Sequence, residues 1–220
     1  MKFLEDFNLL SLTQSLTEVV LGGLEINGRI ESYSTKKAGS DKKESKALEQ
    51  KASSMEDNST KQLLIDLIQT LNASLSDYDF SSLITKPDSF SLISAHEVIG
   101  SVNQLLAETT TDNVHFLSEM WQKIDVAITL SKCDVYQMTD ESFLDADGEI
   151  AWSFHYFFCN KEAKRILFFS CMATNKFRRN EIYDPANDSD DDDDAMDAIS
   201  NGESKSDTSE EETDMPSQEW

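Results

Sequence analysis

The chain has 220 residues, 39% of them apolar, and a formal net charge of −23. That length suits one domain plus an extension, and the apolar share is low for a chain folded from end to end. So acidic a chain excludes broad binding to nucleic-acid phosphate, because like charges repel, and points instead to basic protein surfaces as partners. The charge is also uneven: residues 184–220 hold 15 acids against one base, Lys205, a net of −14 that leaves −9 for everything before them.

Cys133, Cys159 and Cys171 are odd in number and form no CxxC pair, which predicts reduced thiols in a cytosolic or nuclear setting rather than a disulfide framework. Glu5 and Asp6 interrupt the first ten residues, so no secretory signal is expected there. No apolar run approaches the roughly 20 residues that span a bilayer, so no membrane association is expected. The sequons at Asn58, Asn72 and Asn187 carry no expectation of a glycan.

In chain order, Phe3, Phe7 and Leu10 recur at helical spacing and predict a short amphipathic helix over residues 2–10. Two alternating runs follow, 16–21 and 24–34, and the Gly22-Gly23 pair between them predicts a hairpin. In the second run Leu24, Ile26 and Ile30 share one face, and Arg29, Glu31 and Tyr33 the other. Gly28 in mid-strand marks a bulge or a close backbone approach. Residues 36–60 hold six Lys and five acids with no aromatic residue, a composition that predicts a mobile linker.

Three helices are predicted next. Leu64, Leu67, Ile68, Leu71 and Leu75 form one apolar stripe. Ser94 and Glu97 form a capping box before Val98, Ile99, Val102, Leu105 and Leu106. Leu117, Met120, Trp121, Ile124 and Ile128 form the third stripe. Plain core packing explains all three. Strands are predicted over 133–138, 150–160 and 165–173, the last two joined by a short loop, Lys161–Lys164. Trp152, Phe154, Tyr156 and Phe158 lie on one face, with Phe157 and Cys159 on the other; Ile166 and Phe168 oppose Leu167 and Phe169. A strand apolar on both faces is covered on both. The expected fold is α/β of the α+β type: a central antiparallel sheet of about five strands with helices on each face, built from residues 1–35 and 61–180. Residues 184–220, with Asp190–Asp194 and Glu210–Glu212, read as a disordered acidic tail.

Little in the sequence points to catalysis. Asp145, Asp147 and Gly148 look like part of an EF-hand, but with Gly148 at the sixth loop position the first and twelfth would be Phe143 and Phe154, neither an oxygen ligand. His96, His115 and His155 are scattered, so no metal is expected. There is no nucleophile elbow, P-loop or dinucleotide fingerprint, and the cysteines alternate with apolar residues as inert buried thiols do. No enzyme and no cofactor are expected. Phosphorylation is the clearest local signal. Lys42-Lys43-Glu44-Ser45 suits a basophilic kinase, Ser40 follows Lys36 and Lys37, and Ser189 and Ser209 precede acidic runs that suit an acidophilic one. A phosphate adds about −1.5 to −2 charge. Trp220, alone in acidic surroundings, is a candidate anchor for a partner groove.

GRIESYS (28–34) with Lys36 and Ala38-Gly39, LIQTLNASLSDYDFS (67–81), WSFHYFFCN (152–160) and KRILFFSC (164–171) together resemble the Maf-one family, eukaryotic global repressors of RNA polymerase III transcription. The likeness covers about residues 1–35, 61–85 and 115–175 in register. The lysine-containing insert and the lack of Ser-Pro or Thr-Pro pairs fit a plant-type member. The resemblance implies a monomeric, non-enzymatic protein that docks on the clamp region of RNA polymerase III. There it would block joining of the polymerase to its TBP-containing initiation factor. It also implies control by a protein kinase and phosphatase, and a nuclear location with shuttling to the cytoplasm. Matched block by block, Arg29, Glu31 and Tyr33 become candidates for an exposed contact face, and Lys164 and Arg165 for a second. Thr35 stands where the pattern often has Cys, and Cys159 where it often has Tyr. The alternative reading is an acidic-tailed chaperone or scaffold for basic nuclear proteins, which needs only the tail.

Overall fold

A computed structural model describes residues 1–37, 39–52, 55, 57–107, 114–140 and 150–175. Among them are seven strands: β1 (Lys2–Leu4), β2 (Val19–Leu21), β3 (Leu24–Ser34), β4 (Phe90–Ile93), β5 (Asp134–Met138), β6 (Ile150–Asn160) and β7 (Arg165–Asn175). There are five α-helices: α1 (Phe7–Ser15), α2 (Ser40–Lys51), α3 (Asn58–Ser74), α4 (Ala95–Leu106) and α5 (Phe116–Ile128). All strand pairs are antiparallel, in the order β1-β3-β7-β6-β5-β4, with β2 also on β3.

The three longest strands, β3, β7 and β6, are adjacent at the centre, and their two-sided apolar alternation is satisfied by helices on both faces. On one face Ile26, Ile30, Phe154, Phe158, Leu167 and Phe169 pack with α1, α4 and α5. On the other, Tyr33, Phe157, Cys159, Ile166 and Phe168 pack with α2 and α3. The α+β class, the sheet and the two-sided covering are as the sequence predicts. The capping box of Ser94 and Glu97 forms at the start of α4. The Gly22-Gly23 hairpin also forms, and both glycines take positive φ, 57° and 88°, as a tight two-residue turn requires. Gly28 is a close approach: its N–H donates to the Leu16 carbonyl at 2.7 Å, and a Cβ there would lie 2.6 Å from Leu16 Cβ.

Three expectations need correction. The first helix is not residues 2–10: Lys2–Leu4 pair with β3, and α1 starts after Asp6, whose carboxylate accepts from the N–H groups of Asn8 and Leu9. Seven strands replace five, because β1 and β4, three and four residues long, are too short to show a period. Residues 36–60 are not a mobile linker through their length. Ser45, Leu48 and Ala52 recur at helical spacing and are 3%, 2% and 1% exposed, so α2 packs against α3. Asp41 in its first turn and Lys51 in its last complement the helix dipole.

Candidate functional site

The β3 residues singled out from the sequence do come together, in a hydrogen-bonded cluster at the C-terminal end of α3. Arg29 donates to the Ser74 carbonyl, one of the acceptors that a helix end leaves unpaired, and its Nε lies 3.8 Å from Glu31. Glu31 accepts from the Tyr33 hydroxyl at 2.7 Å and from the Ser74 hydroxyl. The Arg29 side chain is 41% exposed and that of Glu31 21%. Tyr33 is a correction: it is buried, since α2 and α3 cover the face read as open, and burial with the Glu31 carboxylate beside it pushes its hydroxyl pKa up. It positions Glu31 and holds Phe3, whose ring meets it edge-on at 5.7 Å, but offers no surface of its own.

Lys164 and Arg165 lie where the β3–β7 pair ends, just beyond Tyr33. The Lys164 carbonyl accepts from the Thr35 N–H at 3.0 Å, and Lys164 itself takes a left-handed φ of 52° to close the hairpin. Arg165 is paired with Ser34 and turns toward α5, away from Arg29 and Glu31. Both line an open depression of about 470 Å³ together with Lys37, Lys161, Leu63 and Asp66. There Lys37 pairs with Asp66 at 3.2 Å and Lys161 with Asp134 at 2.8 Å. Burial raises the Asp66 pKa against the pull of Lys37.

Ser45 is not an exposed linker serine. Its hydroxyl donates to Gln69 Oε1 at 3.1 Å, and the Gln69 amide donates in turn to the Asp41 carbonyl and to Glu44. Asn72 completes the bridge to Glu44 at 3.2 Å. A kinase that needs an extended chain reaches Ser45 only when α2 has left α3. Ser40 opens α2, but its side chain lies outside the described residues, as do Ser189, Ser209, Trp220 and residues 145–148, with the EF-hand-like spacing.

The remaining titratable groups are built for packing. His155 stacks on Phe168 and shares a 2.9 Å hydrogen bond between Nδ1 and the Ser170 hydroxyl. Burial drives its pKa down to about 4, so the ring is neutral. This serine–histidine pair is 3% and 0% exposed, and among the described residues Nε2 has no partner, so neither substrate access nor an orienting acid is present there. Burial pushes the Cys133 thiol up to about 11 and the Cys171 thiol up to about 12, and raises that of Cys159 as well; none is a ready thiolate at neutral pH. Among the described residues no three His, Cys, Asp or Glu side chains group to hold a metal.

What the sequence reading missed lies on α1. Its buried stripe is Leu9, Leu12 and Leu16, while Phe7 and Leu10 face outward, and Phe3, on β1, is also exposed. The signal is present in the spacing of Leu9, Leu12 and Leu16, but the expected helix over residues 2–10 rests on Phe3, Phe7 and Leu10 alone.

A family model described as "Maf1 regulator" matches residues 52–170. A Schizosaccharomyces pombe protein named "Repressor of RNA polymerase III transcription maf1" is 32% identical over 80% of this chain and 84% of its own length. A Dictyostelium discoideum protein named "Repressor of RNA polymerase III transcription" is 26% identical over 81% and 86%. Among solved structures, a crystal structure of citrus MAF1 superimposes with a TM-score of 0.65 and 26% identity, covering 76% of this chain and 99% of that one. With more than half of its length matched by the family model and its β3, β6 and β7 blocks in place, the chain belongs to the Maf1 regulator family.

Proposed function

We propose that this protein represses transcription by RNA polymerase III through protein–protein contact. It would occupy the clamp region of the polymerase and so obstruct joining to the TBP-containing initiation factor, with no bond made or broken. The observation that carries the reading is the extent of the likeness to named repressors, which runs over four-fifths of the chain rather than one motif. The exposed parts of Arg29 and Glu31, at the C-terminal end of α3, and the Lys164–Arg165 corner, at the hairpin end of the β3–β7 pair, are the proposed contacts. Residues that hold these surfaces in place, above all Tyr33 and Ser74, act by positioning.

Control by phosphorylation belongs to the same proposal, in a form the burial of Ser45 makes specific. A phosphate there would put about −1.5 to −2 charge against Glu44 and the Gln69 carbonyl oxygen, where like-charge repulsion and desolvation oppose it. Phosphorylation would therefore trap α2 in a detached state and alter the adjacent face. The proposed site of action is the nucleus, with a phosphatase restoring the docked helix. The test is a reconstituted tRNA-gene template with purified polymerase and initiation factors. Protein added before the initiation factor should silence it, and protein added after assembly should do so far less. A template equally active with and without the protein would overturn the reading.

A further inference from the structure

The outward face of α1, with Phe3 of β1 beside it, borders a cavity. Phe3, Phe7 and Leu10 are 43%, 87% and 50% exposed, and together with Leu4, Leu9 and Ile30 they wall a hollow of about 170 Å³. Its origin is a break in the sheet. β1 pairs with β3 only at residues 32–34 and β2 only at 24–26. Between them α1 takes over, with Thr13 Oγ1 bonded to both the N–H and the carbonyl of Ile30. The hollow opens where strand pairing gives way to helix. Apolar cavities of about 150 Å³ hold a guest the size of benzene, so this one fits one large apolar side chain. Every titratable residue on its wall is an acid. Asp6 is committed to capping α1, and Glu31 to Tyr33, Ser74 and Arg29. Glu5 is exposed and enters no ion pair among the described residues.

Fold stability does not account for this face. α1 is held by Leu9, Leu12 and Leu16 and by its Asp6 cap, and a polar residue at the position of Phe7 would leave both intact.

We propose that this groove docks a short basic amphipathic segment of a partner protein. One Phe or Leu of the segment seats in the hollow against Phe7 and Leu10, and its flanking Lys or Arg residues meet the acidic rim at Glu5, where the Asp6 carboxylate adds to the negative field. Charge decides the occupant. A second copy of this chain would bring a like-charged rim to the same place, and an anionic lipid surface would be repelled by it. A basic segment gains on both counts, from the buried anchor and from the rim. The inference stands apart from the polymerase reading, because it requires a basic anchored peptide and not a particular machine.

The test uses the full chain and a fluorescent peptide with one central Phe between two Lys-rich flanks, followed by polarisation. Saturable binding is expected. It should weaken about tenfold or more when the central Phe is replaced by Ala, when the lysines are replaced by Glu, and in the Phe7→Ser, Leu10→Ser and Glu5→Lys proteins. The peptide with Ala at its centre also measures any attraction to the acidic tail alone. Phe7→Ser should melt as the parent does, so that lost binding reports a lost surface. Equal binding by Phe7→Ser, or by the peptide lacking its Phe, overturns the proposal. So does self-association in sedimentation that Phe7→Ser abolishes, which would assign the face to a dimer. Peptide binding without silencing of the tRNA template would sink the repressor reading and leave the groove; silencing without peptide binding would do the reverse.

Discussion

On the α1, α4 and α5 side of the sheet the buried residues are apolar almost throughout, with Ser32 and Asn160 as interruptions. On the α2 and α3 side the same depth holds Ser45, Gln69, Thr70, Ser74, His155 and Ser170. Apolar contacts are non-directional and tolerate small shifts, whereas buried polar groups must each find a partner or cost free energy. The first side is therefore a permanent scaffold. The second is a fitted joint, in which α2 is held by Leu48, Ala52 and the Ser45–Gln69–Glu44 bridge. Such a joint can let go as a unit without unfolding the rest.

The sharpest way to break this contrast is to remove a ring from the scaffold. Phe169 meets Phe154 at 5.1 Å and Trp121 at 6.1 Å between ring centroids. Phe169→Ala should cost about 3–5 kcal/mol in urea unfolding; a loss no larger than that from trimming α2 would show the two sides to be equivalent. Acid should act beneath the α2 and α3 side, at His155 of β6. The folded-state pKa of His155, about 4 against an ordinary 6.5, means that the unfolded chain binds its proton first. Stability from the neutral ring is complete above pH 6.5 and is lost as pH falls toward 4, by roughly 3 kcal/mol in total. The urea midpoint measured from pH 7 down to 4.5 should therefore fall more steeply for the parent than for His155→Gln. Parallel slopes would mean the ring does not control this loss.

Smaller effects refine the picture. Gly28→Ala forces a methyl group against Leu16 on the scaffold side and should lower stability by about 2 kcal/mol in thermal melts. Ser45→Ala should cost about 1 kcal/mol, and the loss should be local. Amide exchange should quicken over Ser40–Lys51 and stay slow in β6 and β7. Uniform acceleration would show that α2 does not open separately.

The sheet was legible because β6 and β7 are apolar on both faces, a pattern that leaves few folds available, and because α3, α4 and α5 each carry one unambiguous stripe. α2 was not. Averaging composition over residues 36–60 hides a stripe of only Ser45, Leu48 and Ala52, enough to dock a helix when a neighbour supplies the rest of the contact. Tyr33, a contact candidate only through the family resemblance, is covered because α2 and α3 close over its face. Arg29 and Glu31 were recognisable by type, but their tie to the α3 terminus was not, since Ser74 lies far off in sequence. On α1 the periodicity was real and doubled. Nothing in spacing alone decides whether Phe7 or Leu9 turns inward; the β3 strand beneath the helix decides it.

The interrupted margin of β3 bears on behaviour in concentrated solution. A neighbouring molecule seeking backbone to lie against finds three residues of β1, three of β2, and helix between them. The opposite margin, β4, offers four. Ribbon-like growth needs a long straight template, and among the described residues these two margins supply none, so growth from either of them is disfavoured while the helices stay in place.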